Sequence, residues 1–238
     1  MSKPDRTRND KANQHPRERV IEAAIQVVGE VGVEGFTMRA LGENLGVTQM
    51  MPYRHFRSKE TLFVEIERQV SDRFGAYLEE CANSGRTPET RLRRLCVGYI
   101  KYGCEAPADY EIIFNKWSDS AYKAVLEVDG PDALKMTRSW SAMLDAVADL
   151  RQAGRTDRKV RVASHILWES LHGLVNLHLS KKLGFGFSIL ELYGPVIDGL
   201  LQIAQSGMER NRPIELNKLP TVRPVITNHA RSDDNLKP

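Results

Sequence analysis

With 238 residues, 41% of them hydrophobic and 27% charged, the chain is long enough to bury a core in one large or two small domains, and its composition is that of a soluble protein. The formal net charge of +3 gives no warrant for a nucleic-acid partner, since a basic tail alone would produce it; any basic character that counts must be local. Cys81, Cys96 and Cys104 lack metal-type spacing and read as reduced core thiols. With no apolar leader and no run of roughly 18 apolar residues, a soluble, cytoplasmic chain with no secretory signal and no membrane span is expected.

Residues 1–15 are polar, mixed in charge and aperiodic, and are expected to form a disordered tail. Its Lys3, Arg6, Arg8 and Lys11 are either a solvated charge run or a basic arm on DNA phosphates. Ile21, Ala24, Ile25 and Val28 then follow the i, i+3, i+4, i+7 pattern of a helix, with Pro16 near its start and Gly29 and Gly32 near its end. Thr37 can cap a second, short helix that turns Met38, Leu41 and Leu45 inward. Gly46 supplies a turn, and Thr48 can cap a third helix reaching Phe56. In that segment Val47, Pro52 and Phe56 can point inward while Gln49, Met50, Tyr53 and Arg54 share the opposite face.

Ser58 caps a long helix to residue 83, with Glu60 in the first turn where the helix dipole favours an anion. Thr87 and Pro88 form a standard helix start. Pro107 opens another helix, and Pro131 opens one that runs to about Ala153. Two last helices are expected at 157–182 and 188–207, separated by the glycine-rich segment 183–187. Residues 210–238, with Pro213, Pro220, Pro224 and Pro238 and no sustained apolar pattern, read as a second tail. Every β-branched stretch sits inside helical periodicity, so the expected fold class is all-α with about nine helices.

The short segment 48–56 carries the strongest functional signal. A major groove admits an α-helix, and its base edges are read by side chains that donate and accept hydrogen bonds. Gln49 can pair bidentately with adenine, Arg54 with guanine, and Met50 or Met51 can touch a thymine methyl. Thr48, Tyr53 and His55 offer hydrogen bonds to phosphate, and Lys59 adds a point charge beside the positive end of the long helix.

Taken in order and spacing, Thr37, Arg39, Leu41, Gly46, Val47, Thr48, Tyr53, His55, Phe56, Ser58, Lys59 and Leu62 resemble the signature of the TetR family of transcriptional repressors, over about residues 17–66. The resemblance implies a three-helix DNA-binding domain with a helix-turn-helix (16–62), a larger helical ligand-binding and dimerisation domain (63–209), and a homodimer on a palindromic operator in double-stranded DNA. It also implies that Arg39, Gln49, Met50, Met51 and Arg54 stand where the family reaches bases, and Thr37, Thr48, Tyr53, His55 and Lys59 where it holds phosphates. One position departs: Pro52 stands where the family usually has leucine or isoleucine. It still offers an apolar ring to the core, and near the start of a helix its missing N–H costs little.

In the larger domain, the segment 106–117 resembles one common in TetR-type ligand domains, with a proline opening a helix that carries Tyr110, an apolar pair and Phe114. Trp168, Leu171, His172 and Gly173 resemble the Trp–His–Gly (WHG) subgroup of the family. Trp168 and His172 lie four apart on one helical face. They are either satisfied core residues or, with Asn176, the polar groups of an otherwise apolar ligand wall. Phe74, Tyr77, Tyr99, Tyr110, Ile113, Phe114, Trp117 and Met143 are the other wall candidates, for a small-molecule effector that is apolar or aromatic.

His165, His172 and His178 are too far apart along their helix to share one ion, so neither metal nor cofactor is expected. The apolar character of helices 157–182 and 188–207 on more than one face calls for a partner copy there. No nucleophile–base pair, carboxylate pair or phosphate-cradling loop stands at recognisable spacing. A ligand-released repressor is therefore the leading reading. A ligand-independent regulator or an activator is the alternative, with a helical enzyme behind both.

Overall fold

The computed structural model describes residues 16–114 and 137–206. The two expected tails, the helix start at Pro131 and the wall candidate Trp117 lie outside the described residues. Among those residues the chain forms eight α-helices and no strand.

Helix α1 (Pro16–Gly35) buries Val20, Ile21, Ala23, Ala24, Val27 and Val28 on one stripe. It is interrupted at Gly32, whose φ of 74° and ψ of 169° leave the helical region. Helix α2 (Met38–Leu45) starts where the Thr37 hydroxyl accepts from the Ala40 N–H, as its sequence position predicts. Helix α3 (Lys59–Asn83) opens with a capping box: Ser58 Oγ accepts from Thr61 N–H, and Thr61 Oγ1 accepts from Ser58 N–H. The same device, built from Thr87 and Thr90, starts α4 (Pro88–Glu105). The remaining helices are α5 (Pro107–Phe114), α6 (Arg138–Arg151, capped by Thr137), α7 (Arg158–Leu179, capped by Asp157) and α8 (Ile189–Ser206).

The difference from the expected count of nine falls on residues 48–56. They form turns around a short 3₁₀ helix, Pro52–Arg54, in place of an α-helix. Pro52 has no N–H to give to Thr48, so the i to i−4 ladder cannot pass through it. The N–H groups of Met51, Arg54 and His55 instead reach back three residues, to the carbonyls of Thr48, Met51 and Pro52.

Two apolar cores result. The smaller gathers α1, α2, Phe56 and the first turns of α3 around Phe36, Leu41, Leu62 and Ile66. The larger gathers the rest of α3 with α4, α6, α7 and α8 around Phe74, Leu92, Leu95, Val147, Leu167 and Leu171. Helix α5 belongs to both: Tyr110 is buried in the larger core and Ile112 in the smaller. None of the described helices is long and apolar enough to cross a membrane.

On α7 and α8, the apolar residues expected to need a partner are largely covered within the chain: Leu167, Leu171, Leu174, Val175, Leu200 and Leu201 are buried. Leu177, Leu190 and the loop residues Phe185 and Phe187 stay exposed, and a side-chain carbon added at Gly173, Gly194 or Gly199 would meet open space. Pro195 stands inside α8, which gives up one helical hydrogen bond there.

Candidate nucleic-acid interface and ligand region

The tip of the small domain is shaped by two glycines. Gly46 takes the left-handed conformation (φ 67°, ψ 31°), and its N–H bonds to the Glu43 carbonyl while Val47 N–H bonds to that of Gly42. This pattern closes α2 and turns the chain. Gly42 permits the return: a Cβ there would lie 3.0 Å from Gln49 Cα and 3.1 Å from Gln49 N. The backbone that carries Gln49 thus rests directly on the backbone of α2.

Beyond the turn, Thr48, Gln49, Met50, Tyr53 and Arg54 are all exposed, Met50 at 62% and Tyr53 at 42%. Pro52 and Phe56 are buried beneath them, as expected. Val47 is not: it is exposed, because the left-handed turn at Gly46 carries it past the edge of the core. Met51 is half-buried and packs against the small core, and His55 is half-buried. The 3₁₀ turn therefore presents a narrower tip than a full α-helix, led by Gln49, Met50, Tyr53 and Arg54.

Arg39 and Thr37 flank this tip. Both are exposed; Arg39 Nε donates to Glu43 Oε1 at 2.9 Å, so its guanidinium already has a carboxylate partner on the same helix. Lys59 is engaged differently. Its Nζ donates to the Phe36 carbonyl at 2.6 Å and lies 5.5 Å and 5.4 Å from the ring centroids of Phe36 and Phe63. Those two rings meet edge to face at 4.9 Å. Lys59 thereby ties the start of α3 to the residue before the cap of α2, which brings two positive helix ends to one side of the domain.

The second candidate region lies where α3, α4, α5 and α7 meet. Phe74, almost fully buried, packs its ring against Tyr99 at 5.3 Å, Tyr102 at 4.8 Å and Phe114 at 6.2 Å. Phe114 reaches Tyr110 at 4.6 Å, His172 at 4.7 Å and Trp168 at 6.4 Å. Trp168 and Tyr110 both stack on the His172 ring, at 6.1 Å and 5.7 Å. Seven of the wall candidates therefore share one aromatic cluster: Phe74, Tyr77 (5.6 Å from Tyr102), Tyr99, Tyr110, Phe114, Trp168 and His172. Met143 is buried in the same larger core, and Ile113 packs against both cores.

A chain of hydrogen bonds runs through the cluster. Asn176 Nδ2 donates to His172 Nε2 at 2.7 Å, His172 Nδ1 shares a 2.6 Å hydrogen bond with the Tyr110 hydroxyl, and that hydroxyl lies 3.4 Å from the one on Tyr99. Burial holds His172 below its ordinary pKa and pushes the Tyr99 and Tyr110 phenols up, so all these groups are neutral at pH 7. Tyr99 and Tyr110 are buried, His172 is half-buried and Asn176 is exposed, so uncharged hydrogen-bonding groups run from the core to the surface.

Three residues of this region were not singled out from sequence. Tyr102 donates to Asp109 Oδ2 at 2.8 Å, Trp140 packs 4.5 Å from His165, and Ile112 joins the small core. Only Ile112 left a signal, as one of the apolar pair after Tyr110. Among the described residues no group of three or more His, Cys, Asp or Glu is placed to hold a metal ion.

Two family profiles match the chain: one described as bacterial regulatory proteins, tetR family, over residues 20–66, and one described as tetracyclin repressor-like, C-terminal domain, over residues 92–200. The class C tetracycline repressor protein of Escherichia coli is 46% identical over 50 residues, which are 21% of this chain and 23% of that protein. The chain thus spans about a quarter of the length of the curated relatives it matches. Among solved structures, the fatty acid degradation regulator FadR of Bacillus halodurans matches with a TM-score of 0.60 at 19% identity, over 79% of this chain and 96% of that one. FadR of Bacillus subtilis, solved in complex with stearoyl-CoA, matches with a TM-score of 0.57 at 15% identity, over 81% and 99%. These two likenesses are of fold.

Proposed function

The chain belongs to the TetR family of regulators, and on that footing we propose that it is a dimeric transcriptional repressor that binds a palindromic operator and is released by a small molecule. The observation that carries the DNA reading is the exposed tip of Gln49, Met50, Tyr53 and Arg54, held by the Gly42–Gln49 backbone contact and flanked by Thr37, Arg39 and Thr48. Gln49 and Arg54 read base edges and Met50 touches a thymine methyl. Arg39 and Met51 flank them at the bases, and Thr37, Thr48, Tyr53, His55 and Lys59 hold phosphates.

The exposed faces of α7 and α8, with Leu177, Leu190 and the open glycines, are where a second copy packs. The two tips then sit about 34 Å apart, one turn of the operator. The effector is apolar or aromatic and is held among Trp168, His172, Asn176 and the aromatic residues around Phe74. Trp168, Leu171, His172 and Gly173 also support a carboxy-terminal domain of the WHG type. A ligand that favours a wider separation of the tips releases DNA by its differential affinity for the two arrangements, passed along α3.

The test is selection of duplexes from a random pool by the full chain. A two-fold symmetric consensus is expected, and Gln49→Ala should relax preference at one base pair per half-site by about 1–3 kcal/mol. If no duplex is enriched, the DNA reading fails. If Gln49→Ala leaves the consensus unchanged, the orientation of the tip is wrong. A broad compound screen in which nothing alters duplex affinity or melting temperature would leave a ligand-independent regulator.

A further inference from the structure

Helix α5 is eight residues long and carries one side chain into each core. Tyr110 is buried in the larger, where its hydroxyl bonds to His172 of α7, and Ile112 is 1% exposed in the smaller. Two residues apart on a helix, these side chains point to nearly opposite sides, so α5 is a strut between α7 and the small domain. It is also tied to α4 by the Tyr102–Asp109 hydrogen bond at its opening turn, and its last residue, Phe114, packs against Phe74, Tyr99, Trp168 and His172. His172 is itself held on its far side by Asn176 and stacked between Trp168 and Tyr110. A helix this short has little stability of its own, and tertiary contacts decide its position.

We propose that the Tyr110–His172 hydrogen bond is a latch that seats Ile112 in the core of the DNA-binding domain, so that the bond sets operator affinity from inside the ligand region. This deepens the repressor reading and rests on it. Tyr110 is a positioning residue: it acts on DNA through Ile112. An effector that takes over His172 Nδ1 with its own hydroxyl opens the latch, and a phenol is the chemistry that matches what Tyr110 presents there.

The experiment compares the full wild-type chain with Tyr110→Phe, Tyr110→Ala and Ser164→Ala, on the duplex that wild type selects. Ser164 is fully buried on α7 and its hydroxyl donates to the Val160 carbonyl of the same helix, so its loss perturbs the larger core away from the Tyr110–His172 bond. Tyr110→Phe keeps the ring and removes the hydroxyl; operator affinity should fall roughly five- to tenfold, while Ser164→Ala stays within twofold of wild type. Tyr110→Ala removes the ring as well as the hydroxyl and should lose at least as much affinity as Tyr110→Phe.

Wild-type affinity in Tyr110→Phe overturns the latch, and so does an equal loss in Ser164→Ala, which would mean that any loosening of the larger core weakens binding. A Tyr110→Ala chain that folds and binds the duplex as tightly as wild type also counts against it. If wild type selects no duplex at all, the repressor reading itself has failed, an outcome distinct from each of these.

Discussion

The two candidate regions are built in opposite ways. At the tip of the small domain the side chains that matter touch solvent, and backbone holds them in place: the cap at Thr37, the left-handed Gly46, the contact of Gly42 with Gln49, and the 3₁₀ turn that Pro52 imposes. In the larger domain the side chains that matter are buried or half-buried, Asn176 apart, and hold one another, ring on ring and hydroxyl to imidazole, across four helices. A surface that must meet a large, regular partner can be set by short-range geometry. A surface that must enclose a small molecule has to be assembled from distant parts of the chain. Substitutions should therefore damage the two regions differently, in stability for one and in recognition for the other.

The largest effect is expected in the aromatic cluster. Phe74 touches Tyr99, Tyr102 and Phe114 and is 1% exposed. Phe74→Ala should cost about 3–5 kcal/mol of stability, as lost transfer energy plus a cavity. Chemical denaturation checks this, and a loss under 1 kcal/mol would show that the cluster is loosely packed. Glu67, half-buried on α3, should give the next largest effect. Burial pushes its carboxyl up to about 7, against an ordinary value of 4.5. Below pH 4.5 both folded and unfolded chains carry the proton. Between the two values the unfolded chain has released it and the folded chain has not, so stability falls as pH rises and levels off above about 7. Glu67→Gln should remove that slope and raise stability at pH 8 by about 2–3 kcal/mol. Parallel pH profiles of melting temperature for the two chains would contradict it.

The tip is tested by Gly42→Ala, at about 1–3 kcal/mol. The new methyl would press on the backbone at Gln49 and on the Val47 carbonyl, 3.2 Å away. Here the informative result is a mismatch in size: DNA affinity should fall by more than the stability does, because the strain lands on the segment proposed to read bases. A loss of affinity no larger than that of a remote variant of equal stability would break the contrast between the regions.

What was legible in the sequence follows the same division. The caps Thr37, Ser58 and Thr87, the turn at Gly46, and the placement of Trp168, His172 and Asn176 on one helical face are local patterns, and all were readable. The third helix is the exception: a proline near a helix start costs little by the sequence rule, but Pro52 gives no N–H to Thr48 and the chain there winds with three-residue hydrogen bonds. The partners of Lys59 and Tyr110 lie 23 and 62 residues away. No spacing rule reaches that far. The aromatic residues could be named as candidates singly, but the hydrogen-bonded order among Tyr99, Tyr110, His172 and Asn176 exists only once α4, α5 and α7 are packed.

The smallest effects separate two residues that sequence alone treats alike. Tyr53 and Lys59 are both proposed to hold phosphates, but Tyr53 is exposed while the Lys59 ammonium is bound to the Phe36 carbonyl between two aromatic rings. Tyr53→Phe removes a free hydroxyl. It should leave the melting temperature unchanged and weaken binding to all duplexes alike, by about 0.5–1 kcal/mol. Lys59→Ala removes a charged hydrogen bond that joins two helix starts, so it should cost about 1 kcal/mol of stability. If that tie persists on DNA, the dependence of affinity on salt keeps its wild-type slope. If Lys59 leaves Phe36 to take a phosphate, the slope falls by about 0.9, the share of one released counterion. Measuring melting and salt slope on the same two variants decides between these, because a residue that only braces the fold cannot change the slope and a residue that only holds phosphate cannot change the melting.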